Sequence, residues 1–151
     1  MSLHHVGVTV RDLAVEVEFY TQLLGVKPSV RSLYQSAYTS AQVGYEGAIL
    51  DVAIFQIPES SVLLELIQYI SPAGTPVDIE TKNPGTWHLC LQTADLQVEF
   101  DRMVGLGATP RSDGPVLITS GANTGRRVAY FRDPEGLTIE MLETQTESRR
   151  L

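Results

Sequence analysis

The stretch His5–Leu13, HVGVTVRDL, returns later in the chain as His88–Leu96, HLCLQTADL. Both copies open on histidine, alternate like a half-buried strand, and close on Asp-Leu at the same offset. After each comes a helical pattern: Leu13, Val17, Tyr20 and Leu24 in the first, Leu96, Phe100, Met103 and Val104 in the second. Asp12 and Asp95 read as N-caps. Each pattern then stops at a glycine with proline just beyond, in LLGVKP (Gly25) and GLGATP (Gly107). Two further strands follow in each copy: ILDVAIFQIP and SVLLELIQY across the turn PESS, then RRVAYFRDP and LTIEMLE across DPEG. The chain is therefore read as one α+β domain, residues 1–151, built from two similar modules. The modules cover about 3–70 and 86–143, joined by a Pro- and Gly-rich linker, 71–85. Residues 31–47, polar with three tyrosines, read as a strand end and a long loop able to act as a lid.

Composition narrows the function classes. The chain has 151 residues, 43% of them hydrophobic and 19% charged, within the ordinary globular range. Its formal net charge of −7 argues against nucleic acid or an anionic membrane as partner, since both call for basic surface. A single cysteine, Cys90, permits no internal disulfide. Charged residues from Arg11 to Glu18 interrupt the stretch where a signal peptide would lie, and no apolar run is long enough to span a bilayer. These features predict a cytoplasmic protein acting on a small molecule.

The repeat also singles out four polar residues. His5 and His88 open equivalent strands, while Glu65 (LLELIQ) and Glu140 (TIEMLE) interrupt the last strand of each module. Leu64, Leu66, Ile139 and Met141 belong to the opposite strand faces. A pseudo-twofold axis relating the modules would gather the two imidazoles and two carboxylates into an N2O2 site for a divalent metal, with open positions for substrate. Without a cation, burial of two carboxylates would be costly. Strand alternation predicts that His4 points away from this site and His5 into it.

At these residues the chain resembles the vicinal oxygen chelate superfamily of glyoxalases, bleomycin-resistance proteins and extradiol dioxygenases. The resemblance runs from about Leu3 to Glu143 and is most specific in LHHVGVTVRDLAVEVEFYTQLLG and RRVAYFRDPEGLTIEMLE. It implies two βαβββ modules curling into an incomplete barrel around a metal, and a homodimer. It places the four metal ligands on His5, Glu65, His88 and Glu140, with the ion one of Co, Ni, Mn, Zn, Mg or Fe(II).

The implied chemistry is proton movement beside a carbonyl through a metal-stabilised enolate, as in methylmalonyl-CoA epimerase or lactoylglutathione lyase. Glu140 is then the catalytic base. The epimerase reading calls for a second acid/base in the third strand, where this chain has Ala53. Asp51, two residues earlier on the same strand face, is the candidate replacement. Arg126 and Arg127 are candidate anion contacts for substrate, and Tyr45, with Tyr34 and Tyr38, could line a pocket. Cys90 reads as a small packing residue on the face of His88. Two alternatives stand beside this reading: an Fe(II) extradiol-type dioxygenase using His5, His88 and Glu140, and a non-catalytic small-molecule binding protein.

Overall fold

The computed structural model describes residues 1–145. The chain divides into two compact units, Met1–Val77 and Asp78–Leu151. The division falls inside the stretch read as a linker.

The first unit contains β1 (His5–Thr9), α1 (Leu13–Leu24), β2 (Val30–Tyr34), α2 (Ala37–Val43), β3 (Ile49–Gln56) and β4 (Leu63–Ser71). Its sheet runs β1-β4-β3-β2, with β1 parallel to β4 and the other pairs antiparallel. The second unit contains β5 (His88–Thr93), α3 (Leu96–Gly105), β6 (Thr109–Pro110), β7 (Val116–Leu117), β8 (Arg127–Arg132) and β9 (Thr138–Glu143). Its sheet runs β5-β9-β8-β6, with β7 also paired to β8 and β5 parallel to β9. Both units thus place the opening strand beside the last one and join the two in parallel. The fold class is α+β, with two mixed sheets, each with free edges.

Local chemistry accounts for the helices. Asp12 accepts from the amides of Ala14 and Val15, and Asp95 from those of Gln97 and Val98, so both predicted caps form. Gly25 ends α1 in the left-handed conformation (φ 68°), which glycine adopts without a Cβ penalty. Another pair of contacts also repeats. The Leu13 amide donates to Gln68 Oε1 (3.0 Å), and the Leu96 amide donates to Glu143 Oε1 (3.3 Å). A residue of the last strand therefore ties down the start of the helix in each unit, which fixes helix against sheet.

The buried stripe of α1 differs in part from the sequence expectation. Leu13, Glu16, Phe19, Tyr20 and Leu23 are buried, so the stripe is rotated away from Val17 and Leu24. Its partner surface includes Phe55, whose ring centroid lies 6.4 Å from that of Tyr20. In α3 the expected Leu96, Phe100 and Met103 are buried, but Val104 is exposed. The long loop expected over 31–47 instead contains α2. The Ser36 side chain caps it by accepting from the Thr39 amide, and the Thr39 hydroxyl accepts in return from the Ser36 amide. This capping box overrode the loop-like composition.

Candidate functional site

The candidate donors come as one pair in each unit. In the first, β1 lies in parallel register with β4 such that Gly7 is opposite Glu65. His5 is two residues before Gly7, on the same face. Its Nε2 lies 3.6 Å from Glu65 Oε2, with both side chains part-exposed. Gly7 makes this possible: a Cβ there would stand 3.3 Å from Glu65 Oε2, so the carboxylate occupies space that other residues would contest. In the second unit Cys90 is opposite Glu140, and His88 is again two residues earlier. His88 Nε2 lies 2.9 Å from Glu140 Oε2. The two pairs therefore share one backbone placement, a histidine opening the first strand and a glutamate opposite the residue two positions on.

Their surroundings differ. Glu65 faces Gly7 on one side and Ile54 on the other. Glu140 faces Cys90 and Tyr130. Burial, together with that carboxylate, pushes the Cys90 thiol up to about 11 and the Tyr130 phenol up to about 12. Both stay protonated at neutral pH. The Tyr130 ring also packs edge-on against His88, with centroids 5.4 Å apart.

His4 departs from the alternation argument. The strand begins at His5, so His4 lies outside the pleat. The two rings meet edge to face, and His4 Nδ1 lies 2.9 Å from His5 Nδ1. One of these nitrogens carries the proton and the other accepts it.

Asp51 stands apart from the His5–Glu65 pair. It is opposite Gln68, whereas Glu65 is opposite Ile54, and alternation puts Asp51 and Glu65 on opposite faces of the sheet. Gln68 reaches the start of α1, so Asp51 is on the helix side, where it forms a close ion pair with Arg31. It does not face the His5–Glu65 pair. The two arginines read as anion contacts have partners within the chain. Arg127 is bound to Glu143 by both oxygens and lies 3.8 Å from Asp95. This pairing holds the Glu143 carboxyl below its usual range and raises the guanidinium. Arg126 donates to the Glu143 carbonyl and to Asn123 Oδ1 (2.8 Å). Both guanidiniums are engaged in fastening strand ends. Tyr45 is exposed and stacks edge-on against Tyr69, with centroids 6.1 Å apart.

The donor set fits a divalent cation in kind. It offers imidazole nitrogen and carboxylate oxygen in each unit, the mixture that suits first-row transition ions. Among the described residues no three His, Cys, Asp or Glu side chains are grouped closely enough to hold an ion. What the structure brings together is His5 with Glu65, and His88 with Glu140. The sequence reading missed His4 and Tyr130 as neighbours of these pairs. Only Tyr130 left a signal, since it holds the matching place in RRVAYFRDP to Ile54 in ILDVAIFQIP, a polar ring for an aliphatic chain.

Residues 4–130 match the family model described as the glyoxalase/bleomycin resistance protein/dioxygenase superfamily, and the chain belongs to that superfamily. It is 26% identical to a 2-epi-5-epi-valiolone epimerase from an Actinomyces species, over 99% of this chain and 87% of that one. It is 30% identical to a lactoylglutathione lyase from Arabidopsis thaliana, over 92% of this chain but only 43% of the lyase, so it spans less than half of that relative's length. Among solved structures, a glyoxalase family protein from Bacillus cereus has the same fold, with TM-score 0.81 at 18% identity over 93% of this chain and 92% of that one. Among the described residues no helix is long and apolar enough to cross a membrane.

Proposed function

We propose that the chain is a divalent-metal-dependent enzyme that moves a proton beside a carbonyl, as an epimerase or a lyase of the glyoxalase type. One observation supports this above the others: the His–Glu pair recurs in both units at the same place in the same strand register. A residue pair serving stability alone has no reason to recur on the open faces of both sheets with its chemistry intact. His5, Glu65, His88 and Glu140 are the proposed ligands of one ion. When bound, the ion supplies Lewis-acid stabilisation of negative charge developing on a substrate oxygen. Glu140 takes and returns the proton, and the edge-on Tyr130 ring limits where the His88 imidazole can turn. Asp51 has no part in this scheme, because it faces the helix side. The chain acts on a small molecule, and we place it as a homodimer in the cytoplasm.

Metal analysis of the purified protein is the first test. One ion per chain is expected, lost in His5→Ala and in Glu140→Ala alike. Retention of the ion by either variant would refute the ligand set. The metal-loaded protein is then incubated in D2O with α-substituted acyl-CoA thioesters and with hemithioacetals. Deuterium appearing next to the carbonyl supports proton transfer. Oxygen uptake with catechols and no exchange would instead indicate a dioxygenase. Saturable binding without turnover would indicate a sequestering protein.

A further inference from the structure

The strand face that carries Glu65 continues well past it. Alternation along β4 puts Ile67 and Tyr69 on that face, and β3 sets Ile54, Val52 and Leu50 beside them. Tyr69 stands four residues beyond Glu65, roughly 13 Å along the strand. The Tyr45 ring meets Tyr69 edge to face with 6.1 Å between centroids, and Tyr45 itself is exposed. An aliphatic floor thus runs from the His5–Glu65 pair to a pair of aromatic rings.

Charge along this face is one-sided. The strands β1 to β4 hold a single lysine or arginine, Arg31, and its ion pair with Asp51 lies on the opposite, helix side. From Ser32 to Thr81 the sequence has no lysine or arginine, while Glu46, Glu59 and Glu65 fall within it. In the second unit Arg102 is paired with Glu99, Arg111 and Arg132 with Glu80, and Arg127 with Glu143. A carboxylate or phosphate laid on the face would lose water and meet no cation there. An uncharged ring would meet aliphatic carbon beneath it and aromatic rings at its end, the mixture that small-molecule sites use.

We propose that this face binds the uncharged ring of a carbonyl substrate, with Tyr69 and Tyr45 as its far wall, and that it discriminates against substrates with an ionised tail. The inference rests on the reading of the His5–Glu65 pair as part of the site. It narrows the substrate class to neutral ketones or aldehydes, away from coenzyme A and glutathione conjugates.

The test titrates 2-hydroxyacetophenone, its 4-carboxylate and its 4-trimethylammonium derivative into the full chain, followed through backbone amide signals by NMR. The neutral ketone is expected to shift the Leu50, Tyr69 and Tyr45 signals saturably. The carboxylate is expected to bind about tenfold more weakly, the scale of a like charge about 10 Å from Glu65 in an effective dielectric of about 20. Tyr45→Ala should weaken the ketone several-fold, as the loss of one aromatic contact does. Tyr45→Arg should tighten the carboxylate and not the ketone, a gain that no folding defect produces. Carboxylate or trimethylammonium binding as tight as that of the ketone overturns the proposal. So does a saturable shift confined to amides off this face, or no saturable shift at all. Deuterium exchange in the metal-loaded protein keeps the two readings apart. Binding on the face with no exchange into any compound sinks the proton-transfer reading and leaves this one standing. Exchange confined to anionic thioesters and glutathione hemithioacetals does the reverse.

Discussion

Replacing Gly7 by alanine should separate metal binding from stability. Gly7 lies in β1, in strand backbone open to any residue, so the substitution carries no conformational penalty there. Alanine restricts the unfolded chain and should stabilise the fold by about 0.5 kcal/mol, or roughly 2 °C in Tm. The new Cβ would meet Glu65 Oε2 at 3.3 Å and the Ile67 Cδ1 methyl at 4.0 Å, and only the first of these is tight. The carboxylate must therefore give way by a few tenths of an ångström, or turn. Its partner His5 Nε2 is already 3.6 Å away, so a small retreat opens the pair further. Ligands must be held to within about half an ångström to work well, and a loss of about tenfold in metal affinity is expected, the lower end of what disturbed ligand orientation costs. Thermal denaturation of the metal-free protein and chelator competition read the two effects independently. Unchanged metal affinity would show that the seat over Gly7 does not position Glu65. A fall in metal-free Tm would show that the space beside Gly7 is needed for folding and not for the ligand.

Three further expectations follow from single contacts. Arg132→Leu removes a nearly buried guanidinium that donates to the carbonyls of Ile79 (3.1 Å) and Gly136 (2.9 Å) and to the hydroxyls of Thr138 (2.6 Å) and Thr81 (3.0 Å), beside Glu80 at 3.1 Å. The expected cost is about 2–3 kcal/mol in urea denaturation, and a loss below about 1 kcal/mol would mean water replaces the guanidinium freely. With its thiol pushed up to about 11, metal-free Cys90 should react with a disulfide reagent at pH 8 roughly tenfold more slowly than a free thiol, accelerating as the pH rises toward 11, and Glu140→Gln should quicken it by removing the charge. Labelling at the rate of a free thiol would contradict the position of Glu140 beside it. His4→Ala should weaken metal binding by up to about tenfold through loss of the ring that orients His5, with His4→Asn restoring part of it. Full retention of affinity in His4→Ala would mean the contact between the rings does nothing.

The legible parts of this chain were those written locally and written twice. Asp12 and Asp95 before apolar stripes, Gly25 after one, and the matched histidines and glutamates all carry their meaning within a few residues. What escaped depended on partners across strands. Asp51 could be placed on the face of Ala53, but the sequence does not say which face of β3 meets α1. That is settled by Phe55 packing on Tyr20 and by Gln68 binding the Leu13 amide. The pairing of Arg127, a candidate anion contact, with Glu143 was hidden because the two are 16 residues apart. His4 was misplaced for a different reason: alternation holds only inside a strand, and β1 starts one residue later. The helix α2 was hidden by polar composition, although Ser36 and Thr39 carried the capping signal.

The division of labour between sheet faces explains why a repeated scaffold can hold unequal chemistry. Leu64 and Leu66 flank Glu65, and Ile139 and Met141 flank Glu140; all four are buried. Those neighbours hold the strand in register from the helix side, where each fully buried aliphatic side chain contributes about 1.5–3 kcal/mol. The glutamates, on the other face, contribute little to that register and are free to acquire different surroundings. Gly7 leaves space for the carboxylate in one unit, and the matching position in the other is Cys90. Ile54 in one unit corresponds to Tyr130 in the other. Equivalent backbone positions thus set one His–Glu pair in each unit, and the two pairs differ in the residues that flank the carboxylate.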